Sequence, residues 1–97
     1  MENKALVTEI TSNYGSNIIG RVEGSKYYEL TLNIKGDFRL QFWVTDEFTN
    51  KHLTCINRIA EVTTGSYIYR FLAAADAVIE FKMSGKGTAS DIVLKEV

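Results

Sequence analysis

Alternation of apolar and polar residues is the feature that most constrains how this chain folds. In "YYELTLNI" (27–34) every second residue is apolar, and "FRLQFWVT" (38–45) repeats the pattern. A period of two places successive side chains on opposite faces of a strand, so each run predicts a strand with one buried face. The short link "KGD" (35–37) contains a glycine and predicts that the two strands form a hairpin. The residues predicted to face the core are Tyr28, Leu30, Leu32, Ile34, Phe38, Leu40, Phe42 and Val44.

The rest of the chain contains further short runs of the same kind. "SGKG" (84–87) reads as a hairpin turn, and the polar segments 12–17, 46–51 and 63–66 read as loops. Strands are predicted within 4–11, 18–22, 53–62, 67–73, 77–84 and 90–97.

One segment, "RFLAAADAVIEF" (70–81), allows two interpretations. Its four alanines have high helix propensity, whereas its flanks alternate as strands do. The alternation favours two strands joined by a bend of small residues at 73–77. The whole chain, 1–97, is therefore predicted to be a single all-β domain, an antiparallel β-sandwich of jelly-roll type with about seven to nine short strands.

Composition and charge exclude several classes of function. The net charge is −1 and the pI is about 5.8, so the chain has no basic field for nucleic acid. No apolar run is long enough to span a membrane, and the start "MENKALVTEI" does not have the pattern of a secretory signal. A single cysteine, Cys55, cannot form an intramolecular disulfide, which is typical of a protein made in a reducing cytoplasm.

Three segments carry a resemblance to a known family: "VEGSKYYELTLNIKG" (22–36), "TTGSYIYRFLA" (63–73) and "IEFKMSGKGTASDIVLKEV" (79–97). Together they resemble the galactose-binding-like jelly roll, in particular the carbohydrate-binding modules of bacteriophage tail and other virion proteins. The resemblance covers residues 22–97, and the chain is shorter than those modules. It implies a final strand that returns beside the first. It also implies a structural calcium role for Asp91; the alternative is that Asp91 is solvated or stabilises a turn, with no cofactor.

Aromatic residues on the predicted polar face suggest a binding surface. Trp43 alternates outward with Arg39 and Gln41, and Tyr27 and Tyr67 are candidates for the same platform. Such a platform suits stacking on a sugar ring or the centre of a protein interface. A third interpretation is that another part of the fold covers Trp43.

The candidates for catalysis are weak. His52 and Cys55 supply too few ligands for zinc, and alternation predicts that they point to opposite faces. The adjacent pair Asp46 and Glu47 is predicted to be a solvated loop rather than two carboxylates across a cleft. We therefore expect a protein that is not an enzyme.

The sequence thus favours a structural or binding role. We expect a small bacteriophage virion component, an auxiliary or decoration protein without a signal peptide that is made in the host cytoplasm. It would dock on a major capsid or fibre protein through a sheet face or an edge strand, as a homo-oligomer or as part of a lattice. The alternative is a free-standing carbohydrate-binding module that mediates adhesion to surface glycans.

Overall fold

The computed structural model describes residues 3–12 and 17–97, which form two antiparallel sheets. The first sheet contains β1 (Glu9–Thr11), β3 (Tyr27–Lys35), β7 (Gly65–Leu72) and β9 (Thr88–Glu96). The second contains β2 (Ile18–Val22), β4 (Phe38–Thr45), β5 (His52–Cys55), β6 (Glu61–Val62) and β8 (Ala77–Ser84). The predicted all-β sandwich is confirmed. The predicted loop at 12–17 lies mostly outside the described residues. Within the described ranges, no helix is long and apolar enough to cross a membrane.

The strand order is that of a jelly roll. It is β1-β9-β3-β7 in the first sheet and β2-β8-β4-β5 in the second, where β6 also pairs with β4. The last strand returns beside the first, as Ile10 pairs with Ala89. Residues 73–76 connect β7 to β8 without a helix, so of the two interpretations of 70–81 the bend is confirmed.

The predicted hairpin between 27–34 and 38–45 is wrong. The strands β3 and β4 exist, but β3 pairs with β7 and β9, whereas β4 pairs with β5, β6 and β8. The link at 36–37 carries the chain from one sheet to the other. Alternation could not distinguish the two arrangements, because facing strands of a sandwich bury every second residue just as hairpin strands do.

The prediction that "SGKG" (84–87) is a hairpin turn is wrong for the same reason. It joins β8 to β9, which lie in different sheets, so it is a corner of the sandwich and not a hairpin turn. The corner is tight. A Cβ atom on Gly87 would lie 2.2 Å from Cδ1 and Cε1 of Phe38, and Gly85 has a φ of 102°. Glycine is required at both positions, for close approach at Gly87 and for the left-handed backbone at Gly85.

The core lies between the sheets and contains the residues that alternation predicted. Tyr28 stacks on Phe71 with ring centroids 5.8 Å apart, and the ring centroids of Phe42 and Tyr69 are 6.3 Å apart. All eight apolar residues predicted on 27–34 and 38–45 are buried in this core, together with Ile92 and Leu94 of β9.

A buried asparagine fills the gap between β5 and β6 along one edge of β4. Asn57 is 1% exposed; its Oδ1 accepts a hydrogen bond from the Phe42 N–H at 2.7 Å. Its Nδ2 donates to the Leu40 carbonyl at 2.6 Å and to the Ile59 carbonyl at 3.3 Å. One side chain thus satisfies the backbone groups of β4 that a continuous strand would otherwise pair. It also fixes the loop that carries Ile56 and Ile59.

Candidate interaction surface

The five residues predicted to form a binding platform do not lie on one surface. Arg39, Gln41 and Trp43 point away from the core on β4, as alternation predicted. Tyr27 is exposed on the outer face of the other sheet, and Tyr67 packs against the core from β7. The alternation assigned the outward face of β4 correctly, but it could not show that Tyr27 lies on a different layer.

Trp43 is half-buried and its ring already has a partner. It stacks on His52 with ring centroids 4.5 Å apart and an angle of 18° between the planes. His52 Nε2 lies 2.9 Å from Glu80 Oε1, which fixes the imidazole over the indole. Arg39 is paired with Glu61 at 2.5 Å. The outer face of β4 is therefore partly covered by the protein itself.

A β-bulge changes the predicted orientation of His52 and Cys55. Cys55 pairs with Trp43 and His52 pairs with Thr45, so the register shifts by one residue between them. Because paired residues share a face, both side chains lie on the outer side of the sheet and not on opposite faces. The Cys55 thiol donates to the Asn57 carbonyl at 3.1 Å.

Asp91 lies in another bulge, where β9 pairs with β3. Its φ is 51°, and its carboxylate accepts a hydrogen bond from Asn33 Nδ2 at 2.8 Å. Asn33 Oδ1 in turn accepts from the Ser66 hydroxyl at 2.8 Å. Among residues 3–12 and 17–97, no group of three or more His, Cys, Asp or Glu side chains is placed to hold a metal ion. Asp91 stabilises the bulge through these contacts, and its calcium role stays a prediction.

The acidic pair in the loop at 46–51 has local partners. Asp46 accepts hydrogen bonds from the N–H groups of Phe48 and Thr49 at 2.9 and 3.0 Å, and these bonds hold the pKa of Asp46 below its usual value, the Thr49 bond most. Glu47 forms an ion pair with Arg21. These contacts order the loop. They are exposed to solvent, as predicted for a solvated charged loop.

One side of the sandwich is closed. Residues 3–8 cross the gap between the sheets: Lys4 N–H donates to the Leu94 carbonyl of β9 at 2.7 Å, and Leu6 N–H donates to the Ile19 carbonyl of β2 at 2.6 Å. Gly20 permits this crossing, because a Cβ atom there would lie 2.8 Å from the Lys4 carbonyl oxygen. This segment covers the edge of the second sheet on this side.

The opposite side of the sandwich is open. There the eight-residue strand β7 is the edge of the first sheet, and within the described part of the chain it pairs with β3 alone. Ala73, just after β7, donates to the Lys26 carbonyl and accepts from the Ser25 N–H, so its backbone groups point toward the β3 side. Because this direction alternates along a strand, the even-numbered residues from Ser66 to Leu72 point their N–H and C=O groups away from β3.

An apolar groove of about 360 Å³, here called the seam groove, adjoins this edge. Ile59 is 72% exposed beside it, although its side chain is apolar. Tyr67 and Tyr69 stack with centroids 6.1 Å apart, and burial raises the pKa of the Tyr69 phenol. The Tyr67 hydroxyl is held by the backbone of Thr63 at 2.9 and 3.0 Å. The groove is lined by Ile56, Arg58, Ile59, Glu61, Tyr67 and Tyr69.

A second depression, the end groove, has a volume of about 440 Å³ and a mixed lining. Phe48 beside it is 92% exposed and Leu6 is 63% exposed. Charged side chains surround these two: the ion pair of Arg21 and Glu47 lies at the rim, and a hydrogen bond from Lys26 holds the pKa of Glu23 below its usual value. The remaining lining residues are Lys4, Val22, Tyr28, Asp76 and Ala77.

Of the seam groove, sequence reasoning identified only Tyr67. Ile56 and Ile59 stand in a segment without clear alternation, and nothing in the sequence shows which strand ends each sheet. The one available signal is an isoleucine between charged neighbours in "NRIAE" (57–61), a segment that was predicted to contain strand.

No protein-family model matches this chain, and no curated protein has significant sequence similarity to it. The resemblance of residues 22–97 to carbohydrate-binding modules of virion proteins therefore stays a hypothesis. The surfaces described above are the features that bear on function.

Proposed function

We propose that the protein is a non-catalytic structural component of a bacteriophage virion that docks on a neighbouring chain through β7 and the seam groove. The observation that supports this proposal most directly is the contrast between the two sides of the sandwich. Residues 3–8 cover one side, whereas β7 leaves backbone donors and acceptors free beside an apolar groove. Edge strands of isolated domains are usually short, charged or covered, and β7 has only Arg70 as a charge.

The mechanism is strand addition. An extended segment of a neighbouring chain would form backbone hydrogen bonds with β7, and its apolar side chains would fill the groove between Ile56 and Ile59. Backbone bonds provide affinity, and the pockets for alternate side chains provide specificity. On a shell or fibre many copies act together, so each contact can be modest in area.

The virion setting is supported by the resemblance of residues 22–97 stated above. A protein of this kind is made in the host cytoplasm and joins the particle during assembly. The expected neighbours in the particle are other copies of this chain together with the major capsid protein or a fibre protein.

Two measurements test the proposal. Quantitative mass spectrometry of gradient-purified virions should find the chain in many copies per particle. In a co-sedimentation assay with particles that lack it, the Ile59→Asp variant should bind less than the wild type, whereas the Leu6→Asp variant on the closed side should bind normally. Absence of the chain from purified virions, or equal binding by both variants, would contradict the proposal.

The end groove favours a second candidate, the binding of a glycan. Phe48 offers an exposed ring for stacking, and Glu23, Asp76 and Arg21 lie around it as polar partners. A glycan array followed by thermal shift would show this activity as a sugar-dependent rise in melting temperature. The rise should disappear in Phe48→Ala and persist in Trp43→Ala, since Trp43 lies outside this groove. Loss of the rise in Trp43→Ala alone would contradict the end groove as the glycan site.

A further inference from the structure

We infer that the segment paired with β7 belongs to a second copy of this chain. The two β7 strands would be antiparallel, related by a two-fold axis that lies midway between the two Ile68 residues. This inference rests on the proposed function, since it names the partner of the same docking surface. It follows from the backbone, the charges and the aromatic residues of β7, taken in turn.

The backbone of β7 is suited to pairing with itself. The even-numbered residues from Ser66 to Leu72 present N–H and C=O groups without a backbone partner among residues 3–12 and 17–97, and a two-fold axis at Ile68 matches Ile68 with itself and Ser66 with Arg70 of the second copy. All of these are even-numbered, so the matched residues form hydrogen-bonded pairs, with about six new N–H···O=C bonds. The two first sheets would then become one continuous eight-stranded sheet.

The charges disfavour two neighbouring registers. An axis at Arg70 would oppose the two guanidinium groups directly, and an axis at Tyr69 would make them diagonal neighbours about 7–8 Å apart. With the axis at Ile68, each Arg70 instead faces Ser66 of the second copy. Ser66 begins a chain of hydrogen bonds through Asn33 to the Asp91 carboxylate. Arg70 Nε also donates to Glu29 Oε2 of its own copy at 2.9 Å, so this register places an internal ion pair beside a neutral hydroxyl and not beside a second guanidinium.

The side chains of both faces also match. On the outer face Ile68, which is 54% exposed, would contact its own counterpart. On the inner face Tyr67 would lie opposite Tyr69 of the second copy, and Tyr69 opposite its Tyr67, so that two stacked pairs form a two-by-two cluster of rings. The two seam grooves would meet across the axis, so that Ile59 of each copy loses exposure to water. In a symmetric pair, β7 supplies both contacting surfaces: Ile68 on the outer face and the two tyrosines on the inner face.

The mass in solution tests the pairing. Sedimentation or light scattering of the wild type should give twice the mass of one 10.9 kDa chain. Ile68→Lys places two ammonium groups on the axis and should give the mass of one chain. The control Leu6→Lys introduces the same charge on the closed side and should keep the double mass. Circular dichroism and a cooperative melt establish that Ile68→Lys is folded.

Cysteine cross-linking tests the register, in a Cys55→Ser background that removes the native thiol. Paired residues in an antiparallel ladder have Cα atoms about 5.5 Å apart, within the range of a disulfide. Ile68→Cys should therefore oxidise to a covalent dimer. Ser66→Cys alone should not cross-link, but a mixture of Ser66→Cys and Arg70→Cys should.

A wild type with the mass of one chain and no cross-link through Ile68→Cys would overturn the inference, and cross-linking of Arg70→Cys with itself would overturn the register. These outcomes are separable from the fate of the proposed function. A single-chain protein that still binds particles through the seam groove refutes the dimer alone. A dimer that is absent from purified virions refutes the virion role alone.

Discussion

Replacement of Asn57 by alanine should destabilise the domain strongly, because this one side chain substitutes for a missing length of strand. The substitution leaves the Phe42 N–H and the Leu40 carbonyl buried without their partners. Each of the two groups costs about 1–3 kcal/mol, so the free energy of unfolding should fall by about 2–6 kcal/mol. That is a large part of the roughly 5–15 kcal/mol that stabilises a typical domain.

Urea denaturation can measure this loss through the fluorescence of Trp43, the single tryptophan of the chain. The corresponding fall in melting temperature is about 8–24 °C, at about 4 °C per kcal/mol for a domain near 100 residues. The matched control is Asn33→Ala, which removes an exposed asparagine with two side-chain hydrogen bonds. We expect it to cost less than about 1 kcal/mol. Equal urea midpoints for Asn57→Ala and Asn33→Ala would mean that Asn57 is not needed as the hydrogen-bond partner of the β4 backbone.

Two further substitutions test other contacts. Gly87→Ala should lower the free energy of unfolding by about 1–3 kcal/mol, because its Cβ atom would overlap the buried ring of Phe38; an unchanged urea midpoint would contradict the close packing of this corner. Asp46→Asn should reduce the loss of stability in acid, since the carboxylate pKa is lower in the folded protein than in the unfolded chain. The stability that Asp46 contributes is present above its unfolded pKa and is lost as the pH falls through the folded value. Urea midpoints measured from pH 6 down to pH 3 would refute this if wild type and variant stay parallel.

The sequence predicted the layers better than it predicted the pairing. The faces of β3 and β4 followed from side-chain period alone, because Leu30 and Leu40 must leave water whichever strand lies beside them. Which strands are neighbours depends on contacts between distant segments, and no local pattern contains that information. The hairpin prediction failed for this reason.

The candidate surface was only partly predictable for a related reason. The outward direction of Trp43 was correct, but the stacking of His52 on it depends on a bulge in β5 that shifts the register by one residue. The seam groove depends on β7 being the last strand of its sheet, which is a property of the topology. The sequence therefore did not show that Ile59 is exposed or that it lies beside this edge.

The pairing of β1 with β9 has a consequence for biosynthesis. Residues 9–11 have their ladder partners at 88–90, so an emerging polypeptide has no complement for its early strand until nearly all of this sequence has left the ribosome. Folds dominated by such distant pairings form slowly, within milliseconds to seconds, because long loops must close first. During that interval the alternating segments are available to other molecules. Rapid mutual capture of nascent chains, or protection by a chaperone, would then influence yield as much as the final stability does.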